Sequence, residues 1–274
     1  MNIFCTNSII NNNEIKFEHN AGFFSCCSVI LSDIIEYFNH RKELPKSIDT
    51  TNTFEWYKPP ENKCIDISKE YFVDYHNKED IIYQHSVQYH HSYQFIDYKN
   101  LNFNEIIPFI EKYFTPSNEI QNIITQIENK YNLVDNYENI CVLFYRGNNK
   151  SAEIKICSYD DIIIKAKQIQ SENPNVIFLI QSDETEFITT VQDVFPENSI
   201  CFHDEIRHIN KCYSTVDIIM KNKNHEFSKK YLAITIIMSK CKHIICTTGN
   251  CSIWIMFYRK NANNIIQMDM YQNY

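Results

Sequence analysis

The sequence predicts an α/β protein whose second half is a doubly wound parallel sheet, and three observations carry that prediction. Apolar runs at 141–145 (C-V-L-F-Y), 176–181 (V-I-F-L-I-Q) and 243–247 (H-I-I-C-T) lack the alternation of a half-wet strand. They read as strands buried on both faces. Segments with apolar residues at helical spacing separate them, so the units repeat as strand, loop and helix, which implies right-handed parallel crossovers. Only three glycines occur in 274 residues, against an ordinary share of about 7%, and each stands at a turn between elements.

Taken in order, residues 2–6 read as a short strand. The stretch H-N-A-G-F-F-S-C-C-S at 19–28 then enters a helix with Leu31, Ile34, Ile35 and Phe38 on one face. Residues 41–100 show no clear period. They hold Pro45, Pro59 and Pro60, the aromatic cluster 54–57, and a run at 83–95 rich in aromatic rings with polar tips. Such side chains suit a wetted core edge or a sugar-binding groove. A helix follows over 105–114. The next starts with Thr115 as N-cap and Pro116 in its first turn, and buries Ile120, Ile123, Ile124, Ile127 and Tyr131. The polar piece 132–139 reads as a linker between a first domain, 1–135, and a second, 136–274.

The regular half then begins. Strand 141–145 leads through a loop to a helix capped by Ser158 that buries Ile162, Ala166 and Ile169. Strand 176–181 opens into Ser182-Asp183-Glu184 and a helix through Phe187, Ile188 and Val191, with a short strand at 199–202. A long apolar helix runs from Ser228 to about Ser239. Strand 243–247 opens into Thr248-Gly249-Asn250-Cys251-Ser252, a helix over 252–258 and a last strand at 264–268.

Composition narrows the function. The chain is 44% hydrophobic and 22% charged, an ordinary globular balance, and its net charge of -8 offers no general field for nucleic acid. An anion site must therefore be local. No apolar run approaches the ~18 residues of a membrane helix, and no basic-then-apolar leader opens the chain. Eleven scattered cysteines without a C-x-x-C pair read as reduced thiols, so a soluble, cytoplasmic protein is expected. Strand alternation turns Cys246 away from Cys241 and His243, so no zinc site is expected from that cluster. Neither G-x-G-x-x-G nor G-x-x-x-x-G-K can be written with three glycines so far apart.

What remains points to a phosphate-bearing ligand. In an open parallel sheet, Arg146, Asp183 and Thr247 end their strands on one edge, where such folds hold ligands. Arg146 offers a planar donor fork and Lys150 a mobile charge. Gly147 and Asn149 lie in the same loop. Thr247, Thr248, Gly249, Asn250 and Ser252 place hydroxyls and bare N–H groups at a helix start. Asp183 and Glu184 are placed to accept from the nucleoside. Asn20, Gly22 and Ser25 stand at the start of the first helix, a second positive dipole end.

The order R-G-N-N-K, then S-D-E-T-E-F, then T-T-G-N-C-S resembles the fucosyltransferase-like superfamily of GT-B glycosyltransferases, which takes in O-fucosyltransferases and alpha-1,2-fucosyltransferases. The match is good through 141–258 and loose over 1–130. The resemblance implies two Rossmann-like domains facing a cleft, the first on the acceptor side and the second binding a nucleotide sugar, commonly GDP-fucose. It implies Arg146 on the β-phosphate, Asp183 near the nucleoside, and Thr248, Asn250 and Ser252 on phosphate. The expected reaction is an inverting transfer to a glycan or protein acceptor, without cofactor. No D-x-D occurs, which agrees with a metal-free site. Glu153, just past the Arg146 loop, is the candidate general base. Asn149 stands where many relatives have Asp; an inactive nucleotide-sugar-binding module is therefore one alternative, and a nucleotide-sugar epimerase another.

Overall fold

In the first half of the chain, β1 (Ser8–Asn11) pairs antiparallel with β2 (Glu14–Phe17). The helix α1 (Phe23–Arg41) then crosses over, and β3 (Ser47–Asp49) lies parallel to β2, completing one βαβ unit. The computed structural model describes residues 8–11 and 13–268, so the strand expected at 2–6 lies outside the described residues. Residues Phe23, Phe24, Cys27, Leu31, Ile34, Ile35 and Phe38 are all buried, which makes α1 a core helix. Between β3 and the next long helix the chain is mostly short turns, broken by α2 (Ser68–Tyr71). Two helices follow, α3 (Phe103–Tyr113) and α4 (Asn118–Lys130). The cap of α4 is Ser117, whose hydroxyl accepts from Ile120 N–H. The expected Thr115 instead donates to the Glu111 carbonyl and ends α3.

The second half alternates as its sequence predicts: β4 (Ile140–Tyr145), α5 (Tyr159–Glu172), β5 (Ile177–Ser182), α6 (Thr185–Val194) and β6 (Ser199–Cys201). Ser158 caps α5 in a reciprocal box with Asp161. After a loop come α7 (Val216–Ile219), α8 (Asn224–Lys240), β7 (His243–Thr247), α9 (Asn250–Arg259) and β8 (Ile265–Met268). Helix α8 begins at Asn224, a full turn before Ser228. The five strands are all parallel, in the order β6-β5-β4-β7-β8. Every residue of β4 is buried, as a central strand covered on both faces requires.

That order positions the site. The chain winds outward through β5 and β6, then crosses back to lay β7 on the other side of β4. The direction reverses between β4 and β7, where the loops after the strands part and leave a crevice. The two halves share one apolar core. Trp254 of α9 lies 5.8 Å from Phe24 of α1, ring on ring, and its indole N–H donates to Ser28 Oγ at 2.9 Å. Tyr71 and Ser228 hydroxyls meet at 2.6 Å. Packing thus sets α1 and α9 side by side at the crevice.

Candidate active site

The loop after β4 is a small clamp around one guanidinium. Arg146 N–H donates to Thr247 Oγ1 at 2.9 Å, tying the loop to the end of β7. The Arg146 side chain pairs with the buried carboxylate of Asp183 through Nη1, and Nη2 donates to Asn149 Oδ1 at 2.8 Å. Asn148 adopts φ 45°, a left-handed turn that Asn tolerates better than most residues. Its amide donates to the Asp183 carbonyl at 2.9 Å and to Oδ2 at 3.0 Å, and its Oδ1 accepts from Cys212 N–H at 2.9 Å. The guanidinium is therefore aimed by three loops before any ligand arrives.

Two helix starts face it. Helix α9 begins at Gly249 without a side-chain cap and without an acidic residue in its first turn; α1, at Gly22, shares both features. Each brings positive dipole density to the crevice, with one N–H at each start already held by a phenol: Phe23 N–H donates to the Tyr57 hydroxyl at 2.7 Å and Gly249 N–H to the Tyr98 hydroxyl at 3.1 Å. Lys150 extends alongside, its Nζ 2.6 Å from Glu153 Oε2 and 4.9 Å from the centre of the Phe95 ring. A Cβ on Gly249 would sit 3.6 Å from that same Nζ, so the ammonium stands against the start of α9. Burial holds Lys150 below the ordinary lysine range, against the opposing pull of Glu153.

These groups line one cleft of about 300 Å³. Gly22, Phe23 and Ser25, at the start of α1, line it together with Arg146, Asn149, Lys150, Gly249 and Asn250. The convergence that the sequence predicts for Arg146 and the 249–250 turn is present. The cleft also takes in Trp56, Gln94, Thr215, Asp217 and Tyr231, which sequence reasoning missed. Arg207 fixes Asp217 from behind, donating at 2.8 Å, while Glu205 accepts from Lys130 at 2.7 Å and from Tyr131 at 2.9 Å. Each cation at the cleft has a carboxylate partner, Arg146 with Asp183 and Lys150 with Glu153. Asn250 Oδ1 is buried without a partner.

Several residues expected to face a ligand turn inward. Asp183 holds Arg146, the Asn148 amide and Gly147 N–H, the last at 2.9 Å, so it aims the loop, and it lines an adjoining cavity beside Arg146 and not this cleft. Glu184 is 1% exposed and is held by Asn148 N–H and the Tyr159 hydroxyl. Gly147 is buried above it. Thr247 serves Arg146; Thr248 Oγ1 donates to the Met268 carbonyl at 2.8 Å; Ser252 donates to the Thr247 carbonyl. These residues do not line the cleft, to which α9 contributes Asn250 and Cys251. Asn20 bridges the Asn52 carbonyl at 2.9 Å and Glu55 N–H at 3.0 Å, outside the cleft. Glu153 lines the cleft and is engaged by Lys150 at 2.6 Å.

Gly22 differs from its two counterparts. A Cβ there would meet only the Tyr57 hydroxyl, at 4.0 Å, so the fold leaves the space open. Gly22→Ala is expected to keep thermal stability within about 0.5 kcal/mol while weakening ligand binding at the start of α1, as paired melting and calorimetric titrations would show.

No family model matches the sequence, and no curated protein does. Among solved structures the fold has a counterpart: it is a GT-B-like α/β fold, as in fucosyltransferase NodZ. Fucosyltransferase NodZ from Bradyrhizobium is similar with a TM-score of 0.51 at 11% identity, over 92% of this chain and 94% of that one. NodZ alpha-1,6-fucosyltransferase co-crystallised with GDP gives a TM-score of 0.37 at 13% identity, over 57% of this chain and 45% of that one. A variant of FUT1 from Arabidopsis thaliana in complex with GDP gives 0.36 at 9% identity, over 61% and 36%. In these last two matches the chain spans less than half of the other protein.

Among the described residues, no helix is long and apolar enough to cross a membrane, every cysteine is a free thiol, and no group of three or more His, Cys, Asp or Glu is placed to hold a metal ion.

Proposed function

We propose that the protein is a glycosyltransferase that moves a sugar, fucose or another deoxyhexose, from a nucleoside diphosphate to a hydroxyl of a glycan or glycoprotein. The observation that carries this reading is the meeting of Arg146 and the uncapped start of α9 in one cleft, from neighbouring strands β4 and β7. The GT-B fold shared with fucosyltransferase NodZ supports the sugar class. The resemblance of the three loops supports a GDP-linked donor. The diphosphate sits between Arg146, Lys150 and the N–H groups of α9. As the bond to the anomeric carbon breaks, negative charge grows on the departing phosphate, and preorganised donors stabilise it without reorganising. No metal or cofactor has a step in this scheme. The donor's sugar then points toward Ser25 and Trp56, the latter 38% exposed and free to stack on an acceptor ring.

Thermal shifts with GDP, UDP, dTDP and their sugars test the donor site. A cognate donor at a hundredfold excess over its dissociation constant is expected to stabilise the fold by about 2.7 kcal/mol. No stabilisation by any of them would remove the reading. GDP binding without sugar release, with any acceptor, would leave a binding module instead.

Binding should also depend on pH through Lys150. Burial lowers its pKa in the free protein, and a bound diphosphate favours the ammonium and raises it again. Below the free-protein pKa the lysine is already charged and affinity is flat. Above it each binding event takes up a proton, so affinity falls by up to about tenfold per pH unit until the bound-state pKa is reached. Calorimetric titration of GDP in buffers of different ionisation enthalpy reads that proton directly.

A further inference from the structure

The proposed transfer needs a destination for the acceptor's proton, and Glu153 is already held 2.6 Å from Lys150. Ser25 lines the same cleft in the first turn of α1. Its hydroxyl lies 3.1 Å from His19 Nε2, a side chain just outside the cleft. Among the described residues Ser25 is the ring's hydrogen-bond partner. We infer that Ser25 and His19 form the proton path of the transferase reading, Ser25 touching the acceptor hydroxyl and His19 receiving its proton through Ser25.

Half-buried and unpaired with any carboxylate, His19 is held below the ordinary histidine range by desolvation. It is therefore neutral at pH 7, and with the proton on Nδ1 its Nε2 accepts from Ser25. The groups near it are few. His91, whose own pKa is lowered by burial and by the nearby charge of His90 and His19, faces it from the 91–95 turn. Cys26 Sγ donates to the His19 carbonyl at 3.6 Å and fixes the backbone under the ring.

In the step itself, the acceptor oxygen forms a bond to the anomeric carbon while the bond from that carbon to the donor's phosphate oxygen breaks. The electron pair leaves on the diphosphate, facing Arg146, Lys150 and α9. The acceptor's proton passes to Ser25 Oγ as the Ser25 proton passes to His19 Nε2, and the imidazolium later loses it to solvent. Charge is conserved throughout, and no further reactant is required.

Release of GDP from GDP-fucose, with water in place of the acceptor, tests the pair in the full chain across about pH 5 to 8. Wild-type kcat should rise with pH along an acid limb set by His19. His19→Gln should lower kcat by about a hundredfold and erase that limb, leaving GDP affinity unchanged by calorimetry. Ser25→Ala should lower kcat similarly, and Ser25→Thr, which restores a hydroxyl, should recover most of it. A GDP-dependent thermal shift verifies that each variant is folded. A His19→Gln variant that keeps both rate and limb overturns the proton path while leaving the donor site intact. A wild-type protein that binds GDP but never releases sugar overturns the transferase reading itself, and the path with it.

Discussion

Arg146→Ala is expected to cut sugar transfer and GDP affinity together, by roughly a hundredfold or more, because it deletes the one forked cation aimed into the cleft. It should also lower stability by about 2 kcal/mol, since the buried carboxylate of Asp183 loses its counter-charge and keeps only Gly147 N–H and the Asn148 amide. These two effects separate experimentally. Arg146→Ala combined with Asp183→Asn removes the stranded charge, so melting should recover while GDP binding stays lost. Recovery of binding in that double variant would show that Arg146 acts only through the fold. Arg146→Lys should fall between, keeping charge without the geometry that Asn149 and Asp183 impose on the fork.

Gly147→Ala carries the second large effect, for a purely steric reason. A Cβ at that position would stand 2.2 Å from the Glu184 carboxylate, and Glu184 is itself pinned by Asn148 N–H and the Tyr159 hydroxyl. Either the loop lifts or Glu184 gives up its partners. Overpacking of this kind costs about 1–3 kcal/mol. Because the displaced loop carries Arg146, GDP affinity should fall with it. Shortening the obstructing side chain, Gly147→Ala with Glu184→Asp, should restore part of both. A melting temperature unchanged by Gly147→Ala alone would refute the account. Gly22→Ala is the matched comparison, since the same methyl finds open space there.

The parallel sheet was legible because β4, β5 and β7 are buried on both faces, which leaves an unbroken apolar run in the sequence. Ser158 announced α5 because capping is local chemistry. The region from Pro45 to Asn100 was opaque for the opposite reason: its turns are set by distant partners. Lys58, almost fully buried, is an example, its ammonium held by Glu55 Oε1 at 3.0 Å and the Lys63 carbonyl at 2.9 Å, in a chain with no strand or helix period there. The site divides along the same line. Arg146, Lys150, Gly249 and Asn250 were readable as strand-end residues near a helix start. The direction of Asp183, Glu184, Thr248 and Ser252 was not, because a carboxylate or hydroxyl at a strand end serves a neighbouring loop's backbone as readily as a ligand. Trp56, Gln94 and Tyr231 come from remote stretches and carry no local motif. His19 lay within the quoted H-N-A-G-F-F-S turn, but only the approach of its ring to Ser25 gives it chemical meaning.

One contact between the halves governs how the crevice can behave. The Tyr98 hydroxyl, wholly buried, accepts from Gly249 N–H at 3.1 Å and lies within reach of the Gln94 and Gly249 carbonyls, at 3.0 and 3.1 Å. Swinging the first half away would break the phenol's bonds to the Gly249 peptide groups, each worth about 1 kcal/mol. The Tyr98 hydroxyl is thus a phenolic strut across the gap, tying the first half to the start of α9 and resisting any widening between them.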